Sequence, residues 1–303
     1  MNNVKETSVV ANGVKLECLE WGSTKRRSLI LIHGLADNPH IFEDLAPAFA
    51  DRFRVIAYAR RGAGRSEAKP PYDMLTLTDD VIALMDSLRL AKADLVGWSF
   101  GGNEVTAVAT RHPERVGRIV YLDGAYDFAD PEFVVAFRAM PAVIAEVPGR
   151  AMSSLEAYRA YKYAVEYTDL EDKGRVERYL EESVSREADG RLRPRIARDV
   201  MDQLIATLLT ERRDYGGICC PALAIYPQWF LNPRAADPDV RRAALAWEST
   251  YMVPFRRRSM ERVRCELPHA EIRKVPGTHE SFFLVFREEV VSAMRQFLDA
   301  SES

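Results

Sequence analysis

Ser99 stands in the run Gly97-Trp98-Ser99-Phe100-Gly101, and these surroundings suit a nucleophile. When a G-x-S-x-G run leaves a strand and enters a helix, the chain must turn tightly, and the turn lifts the hydroxyl above the sheet edge. The flanking glycines let neighbouring backbone come close. The helix N-terminus behind the serine offers unpaired N–H groups and partial positive charge where negative charge would develop. The chemistry that fits is attack on an acyl carbon, provided a base takes the hydroxyl proton. Five histidines could supply that base: His33, His40, His112, His269 and His279. They lie far apart with no HxH or HExxH pattern, so no metal site is expected.

The elements that must hold Ser99 in place are legible as short apolar runs. Leu29–Ile32, Arg54–Tyr58, Ala93–Gly97, Arg118–Leu122, Ala222–Tyr226 and Glu271–Val275 read as strands. Their hydrophobicity is continuous rather than alternating, which predicts a sheet covered on both faces. Helices fit between them. Thr76-Leu77-Thr78-Asp79 reads as a capping-box start for a helix carrying Val81, Leu84, Met85 and Leu88. A second helix runs from about Phe100 to Arg111 and should stop before Pro113. A last one covers about Phe283 to Leu298. Asn12-Gly13 predicts a hairpin between Thr7–Val10 and Leu16–Trp21. The alternation predicts an α/β doubly wound, mostly parallel sheet. It breaks between residues 128 and 216, which show helical stripes, hold no convincing strand, and include a helix opened by Pro194. The expected organisation is therefore a core of residues 1–127 and 217–303 with a helical cap, 128–216, inserted between late strands.

Composition narrows the classes. The chain has 303 residues, 47% hydrophobic, enough for one large core. A net charge of −3 offers no basic field for nucleic acid or an anionic membrane. The clusters Arg26-Arg27 and Arg256-Arg257-Arg258 read as solvated faces. Four cysteines, Cys18, Cys219, Cys220 and Cys265, form no CxxC pair, which suits a reducing, cytoplasmic setting without bridges. The stretch MNNVKETSVVANG lacks a leader pattern, and no apolar run reaches the ~18 residues of a membrane span.

The strand Leu29–Ile32 followed by His33-Gly34-Leu35, the turn Arg61-Gly62-Ala63-Gly64-Arg65-Ser66 and the serine elbow together resemble the α/β-hydrolase family. The resemblance implies that the backbone N–H groups of Leu35 and Phe100 form an oxyanion hole. It also implies that His279, in Pro276-Gly277-Thr278-His279 after the last strand, is the base. His33 and the glycine turn are expected to be structural. The acid departs from the commonest family pattern, because the strand Ala222–Tyr226 runs into Pro227-Gln228-Trp229-Phe230-Leu231-Asn232 without a carboxylate. Some relatives, among them haloalkane dehalogenases, place the acid at the tip of the preceding strand, which here is Asp123. Asp127, Asp237 or no acid at all stand as alternatives.

The implied function is a serine hydrolase of the carboxylesterase kind, acting on a small to medium acyl substrate through an acyl-enzyme on Ser99, without cofactor. Trp98 and Trp229 are candidate pocket walls. A serine nucleophile argues against alkyl–enzyme chemistry. Three other readings share these residues: a cofactor-free haloperoxidase or perhydrolase, a carbon–carbon bond hydrolase, and a non-catalytic ligand-binding member of the fold.

Overall fold

The computed structural model describes residues 4–300, so residues 1–3 of the stretch read for a leader lie outside it. The N-terminal hairpin forms as its Asn12-Gly13 turn requires: β1 (Lys5–Ala11) pairs antiparallel with β2 (Val14–Trp21), and Asn12 and Gly13 both take positive φ. Next come β3 (Arg27–Ile32), β4 (Phe53–Tyr58), α1 (Met74–Ser87), β5 (Ala93–Trp98), α2 (Gly101–Arg111) and β6 (Val116–Leu122). The eight-stranded sheet has the order β1-β2-β4-β3-β5-β6-β9-β10 and is parallel apart from the pairings of β2. Here β9 is Ala222–Trp229 and β10 is Ala270–Thr278.

The continuous apolar runs have the predicted cause. Ile30 and Ile32 point into one buried cluster with α1 and α2, while Leu29 and Leu31 point into another on the opposite face. Alternate residues of one strand therefore serve two cores. At roughly 1.5–3 kcal/mol per fully buried large aliphatic side chain, these two layers dominate the favourable side of folding.

Between Leu122 and Ala222 the chain builds α3 (Pro131–Arg138), α4 (Ala142–Ala145), α5 (Leu155–Val165), α6 (Gly174–Glu182), β7 (Val184–Arg186), β8 (Leu192–Pro194) and α7 (Arg198–Thr210). The expectation of no strand here is corrected: β7 and β8 form a separate antiparallel ribbon. Its turn contains Asp189-Gly190 with Gly190 at φ +86°, a hairpin signal that was present in the sequence. Pro194 accordingly closes β8 instead of opening a helix, and α7 begins at Arg198.

Two other boundaries move. Asp73, in extended conformation, caps α1 by accepting from Thr76 N at 2.9 Å, so the helix starts earlier than the Thr76 reading. The last helix is broken into α10 (Phe282–Val285) and α11 (Arg287–Leu298). Between β9 and β10 lie α8 (Pro238–Trp247), a π-helical turn at Glu248–Met252 and α9 (Val253–Glu266). α9 buries Arg256 while Arg257 and Arg258 stay exposed, which corrects the solvated reading for Arg256.

Among the described residues no helix is long and apolar enough to cross a membrane. All four cysteines are free.

Candidate active site

β5 delivers the chain to Ser99 and α2 carries it away. Ser99 sits at φ +53°, a left-handed conformation that costs a non-glycine residue about 1–3 kcal/mol and survives only where its surroundings enforce it. The enforcement is close packing. A methyl group at Gly101 would lie 2.3 Å from Ile32 O, so only glycine lets α2 approach the tip of β3. Asp123, directly after β6, is held the same way at φ +45°. Ser99 N donates to Leu122 O at 3.2 Å, which joins the two turns.

His279 follows β10 and is almost wholly buried. Its Nδ1 lies 2.7 Å from Asp123 Oδ2. The structure thus brings together the predicted base and Asp123 across 156 residues of chain. Neither alternative carboxylate takes that position. Asp127 is tied to Arg262 Nη1 at 2.7 Å and Arg212 Nε at 3.0 Å, and Asp237 caps α8.

The histidine loop is anchored at the elbow: Trp98 Nε1 donates to His279 O at 3.2 Å, and Trp98 belongs to the residue pair Trp98-Ser99. His279 N donates to Trp229 O at 3.0 Å. Ser99 itself is half-buried, and its hydroxyl makes no hydrogen bond among the described residues. Nucleophile–base contacts are often loose without substrate.

Phe230 stacks on the His279 imidazole, with ring centroids 4.2 Å apart. Glu248 in turn accepts from Phe230 N at 3.1 Å and Leu231 N at 3.1 Å. Behind Asp123, Tyr126 OH donates to Oδ1, and Arg256 Nε donates to that same hydroxyl at 2.8 Å. Arg256 Nη1 also donates to Gln228 O at 3.0 Å and lies 3.7 Å from Glu248 Oε1. Burial works to lower the pKa of His279. The hydrogen bond and charge of Asp123, with the charges of Glu280 and Asp37, outweigh it and hold the pKa above the ordinary value of 6.5.

The loop after β3 is set by Arg60. Its Nη2 donates to His33 O at 2.7 Å and its Nη1 to Gly34 O at 2.7 Å, while its guanidinium pairs with buried Glu104 on α2. With those carbonyls turned toward Arg60, the Leu35 N–H has no backbone acceptor among the described residues, and neither does the Phe100 N–H. His33 is fully buried, its Nε2 accepts from Arg60 N at 3.2 Å, and burial followed by the Arg60 charge pushes its pKa well down. It is a structural residue. The glycine turn is structural too: Ser66 Oγ donates to Ala59 O at 2.7 Å and accepts from Glu17 N at 2.9 Å. Trp98, read as a candidate pocket wall, is 1% exposed and packs edge-on against Phe283 with centroids 5.2 Å apart, so it lies behind the histidine instead. Trp229 is half-buried at the end of β9. No group of His, Cys, Asp and Glu able to hold a metal ion occurs among the described residues.

A family model described as the alpha/beta hydrolase fold matches residues 27–164. The crystal structure of an E-2-(acetamidomethylene)succinate hydrolase superposes with a TM-score of 0.77 over 98% of this chain and 100% of its own, at 22% identity. The chain has the α/β-hydrolase fold. The chain is also 28% identical to the 2-(acetamidomethylene)succinate hydrolase of Mesorhizobium japonicum, over 90% of this chain and 88% of that one. It is 34% identical to RutD of Caulobacter segnis, a protein named as a "putative carbamate hydrolase", over 39% of this chain. That match takes in only 45% of the relative's length.

The sequence did not disclose the supports: Arg60, Glu104, Tyr126, Glu248 and Arg256. Nor did it disclose Asp37 and Glu280, which lie close to His279 electrostatically. Only Glu280 carried a signal, as the immediate neighbour of a candidate base.

Proposed function

We propose that this protein hydrolyses a small acyl substrate by serine catalysis. Ser99 Oγ attacks the acyl carbon while His279 takes its proton, and the carbonyl oxygen moves into the N–H groups of Leu35 and Phe100. The imidazolium, steadied by Asp123, gives its proton to the leaving group, and an acyl-enzyme remains. His279 then deprotonates a water that attacks the same carbon, releasing the acid and free Ser99. The observation that carries this reading is the 2.7 Å contact of His279 Nδ1 with Asp123 Oδ2 beside a serine held at positive φ.

The insertion acts as a cap over the site. Asn38 Nδ2, next to the proposed oxyanion loop, donates to Tyr179 O of α6 at 3.1 Å. The relatives reported above are named for a carbamate and for an acetamidomethylene compound, and in each of these an acyl carbon is bonded to nitrogen. Amides and carbamates therefore stand beside esters as the substrate class. Free cysteines, two of them exposed, fit a cytoplasmic protein.

Ser99→Ala tests the proposal. It should abolish covalent labelling by a fluorophosphonate and lower p-nitrophenyl acetate turnover by about 10³-fold or more. Full activity in that variant would overturn the reading.

A further inference from the structure

On the insertion side of His279 lies a polar cluster that the triad does not use. Lys162 and Tyr158 come from α5, with Glu166 and Tyr167 directly after it. Tyr179 comes from α6, Asp37 from the loop after β3, and Glu280 from the histidine loop. Lys162 pairs with Glu166. Tyr179 OH donates to Asp37 Oδ1 at 2.5 Å. The other Asp37 oxygen faces the nucleophile's surroundings: a methyl at Gly34 would lie 2.2 Å from Asp37 Oδ2 and 3.4 Å from Ser99 Cβ.

Two observations separate this cluster from a closed structural salt bridge. Tyr167 is fully buried, yet its hydroxyl has no partner, and the charges it feels are those of Glu166, Glu280 and Asp37. Asp37, Lys162, Glu166 and Glu280 are each half-buried, so each keeps some accessible surface. Three carboxyl groups face one ammonium, and that ammonium is engaged by Glu166. Among the described residues neither Asp37 nor Glu280 forms a salt bridge, and the charges of Lys162 and His279 act on both from farther away.

We propose that Asp37 and Glu280, bordered by Tyr158, Tyr167 and Tyr179, form a subsite for a cationic group of the substrate, an alkylammonium carried on the acyl or leaving side. Carboxylates with aromatic rings around them supply both the charge and the π-faces that ammonium groups favour. The same excess of carboxyl groups rejects a carboxylate-bearing substrate. The inference deepens the serine-hydrolase reading by naming the substrate class of that same site.

Proton linkage supports it. Burial raises the pKa of Glu280 to about 7, with Glu166 and Asp37 pushing further up against the lowering charges of His279 and Lys162. Burial raises Asp37 as well, against the Tyr179 hydrogen bond. Near neutral pH the empty cluster therefore holds protons that an arriving cation expels.

The test is calorimetric binding of butyltrimethylammonium, n-butanol and sodium butyrate to the whole protein. The cation should bind at least tenfold more tightly than either of the others. It should release protons at pH 7, seen as a dependence of the heat on buffer ionisation enthalpy, and should bind more tightly as pH rises from 6 to 8. Glu280→Gln should reduce the cation's affinity about tenfold and leave butanol affinity where it is. Equal affinities, or tighter binding of butyrate, overturn the proposal on the wild type alone, whatever the variant's folding. Fluorophosphonate labelling in parallel distinguishes the two readings: labelled Ser99 with no cation preference sinks the subsite, and unlabelled Ser99 with cation binding sinks the nucleophile.

Discussion

Asp123 is fully buried and turns one carboxylate oxygen to His279 Nδ1. Tyr126 and Arg256 supply a donor and a positive charge on its far side. As the proposed base, His279 works only when neutral. Because the His279 pKa lies above 6.5, kcat/KM should rise with pH through a midpoint above that value. Asp123→Asn removes the largest of the interactions that raise it, so the midpoint should fall in a pH–rate profile. The kcat should drop by about 10⁴-fold, because the amide no longer selects the working tautomer. Arg256→Met should cost about 3–5 kcal/mol by urea unfolding, since it strands Asp123 and Glu248 without their cation. An unchanged urea midpoint would refute that role. At this scale the sequence was readable where a motif fixes a residue, as at Ser99, and where a loop position does, as at His279. Asp123 was reached as one alternative among several. Arg256 was misread because a triple arginine looks solvated until the helix phase shows which of the three turns inward.

The elbow shows how elements enforce what single residues cannot. β3, β5 and α2 meet so closely that the side chain at position 101 must be hydrogen alone. Gly101→Ala should push α2 away from Ile32 O and shift Ser99 relative to the Leu35 N–H. Activity should fall by at least about 10²-fold, the scale on which a ~1 Å misplacement of catalytic groups is felt. Kinetics on p-nitrophenyl acetate, alongside thermal unfolding, checks this, and wild-type turnover would contradict it. Strands of the sheet were legible because both of their faces are apolar. The β7–β8 ribbon was not, because three-residue strands leave no periodicity to read and Asp189-Gly190 was the only clue. The start of α1 was misplaced because the cap is an aspartate upstream of the threonine that resembles one.

On the scale of the whole molecule, the insertion is tied to the core by charged side chains. Arg65 pairs with Glu182, Arg175 with Asp44, and Arg178 Nη1 lies 3.2 Å from Glu43 Oε1. Such partly exposed pairs are individually weak and screened by salt. Raising NaCl from about 0.05 to about 0.5 M should therefore speed proteolytic nicking in the insertion before the core is cut. Equal protection at both salt levels would mean that apolar packing alone holds the insertion down.

The order of the strands has one more consequence. The carboxylate leaves β6 early in the chain, while the imidazole arrives only after β10, with the whole insertion and the α8–α9 pair made in between. During vectorial synthesis a nascent polypeptide short of β10 carries a hydroxyl with no base to activate it. Under the proposed mechanism, a product released before β10 is made would carry Ser99 without His279 and would be inert toward acyl substrates.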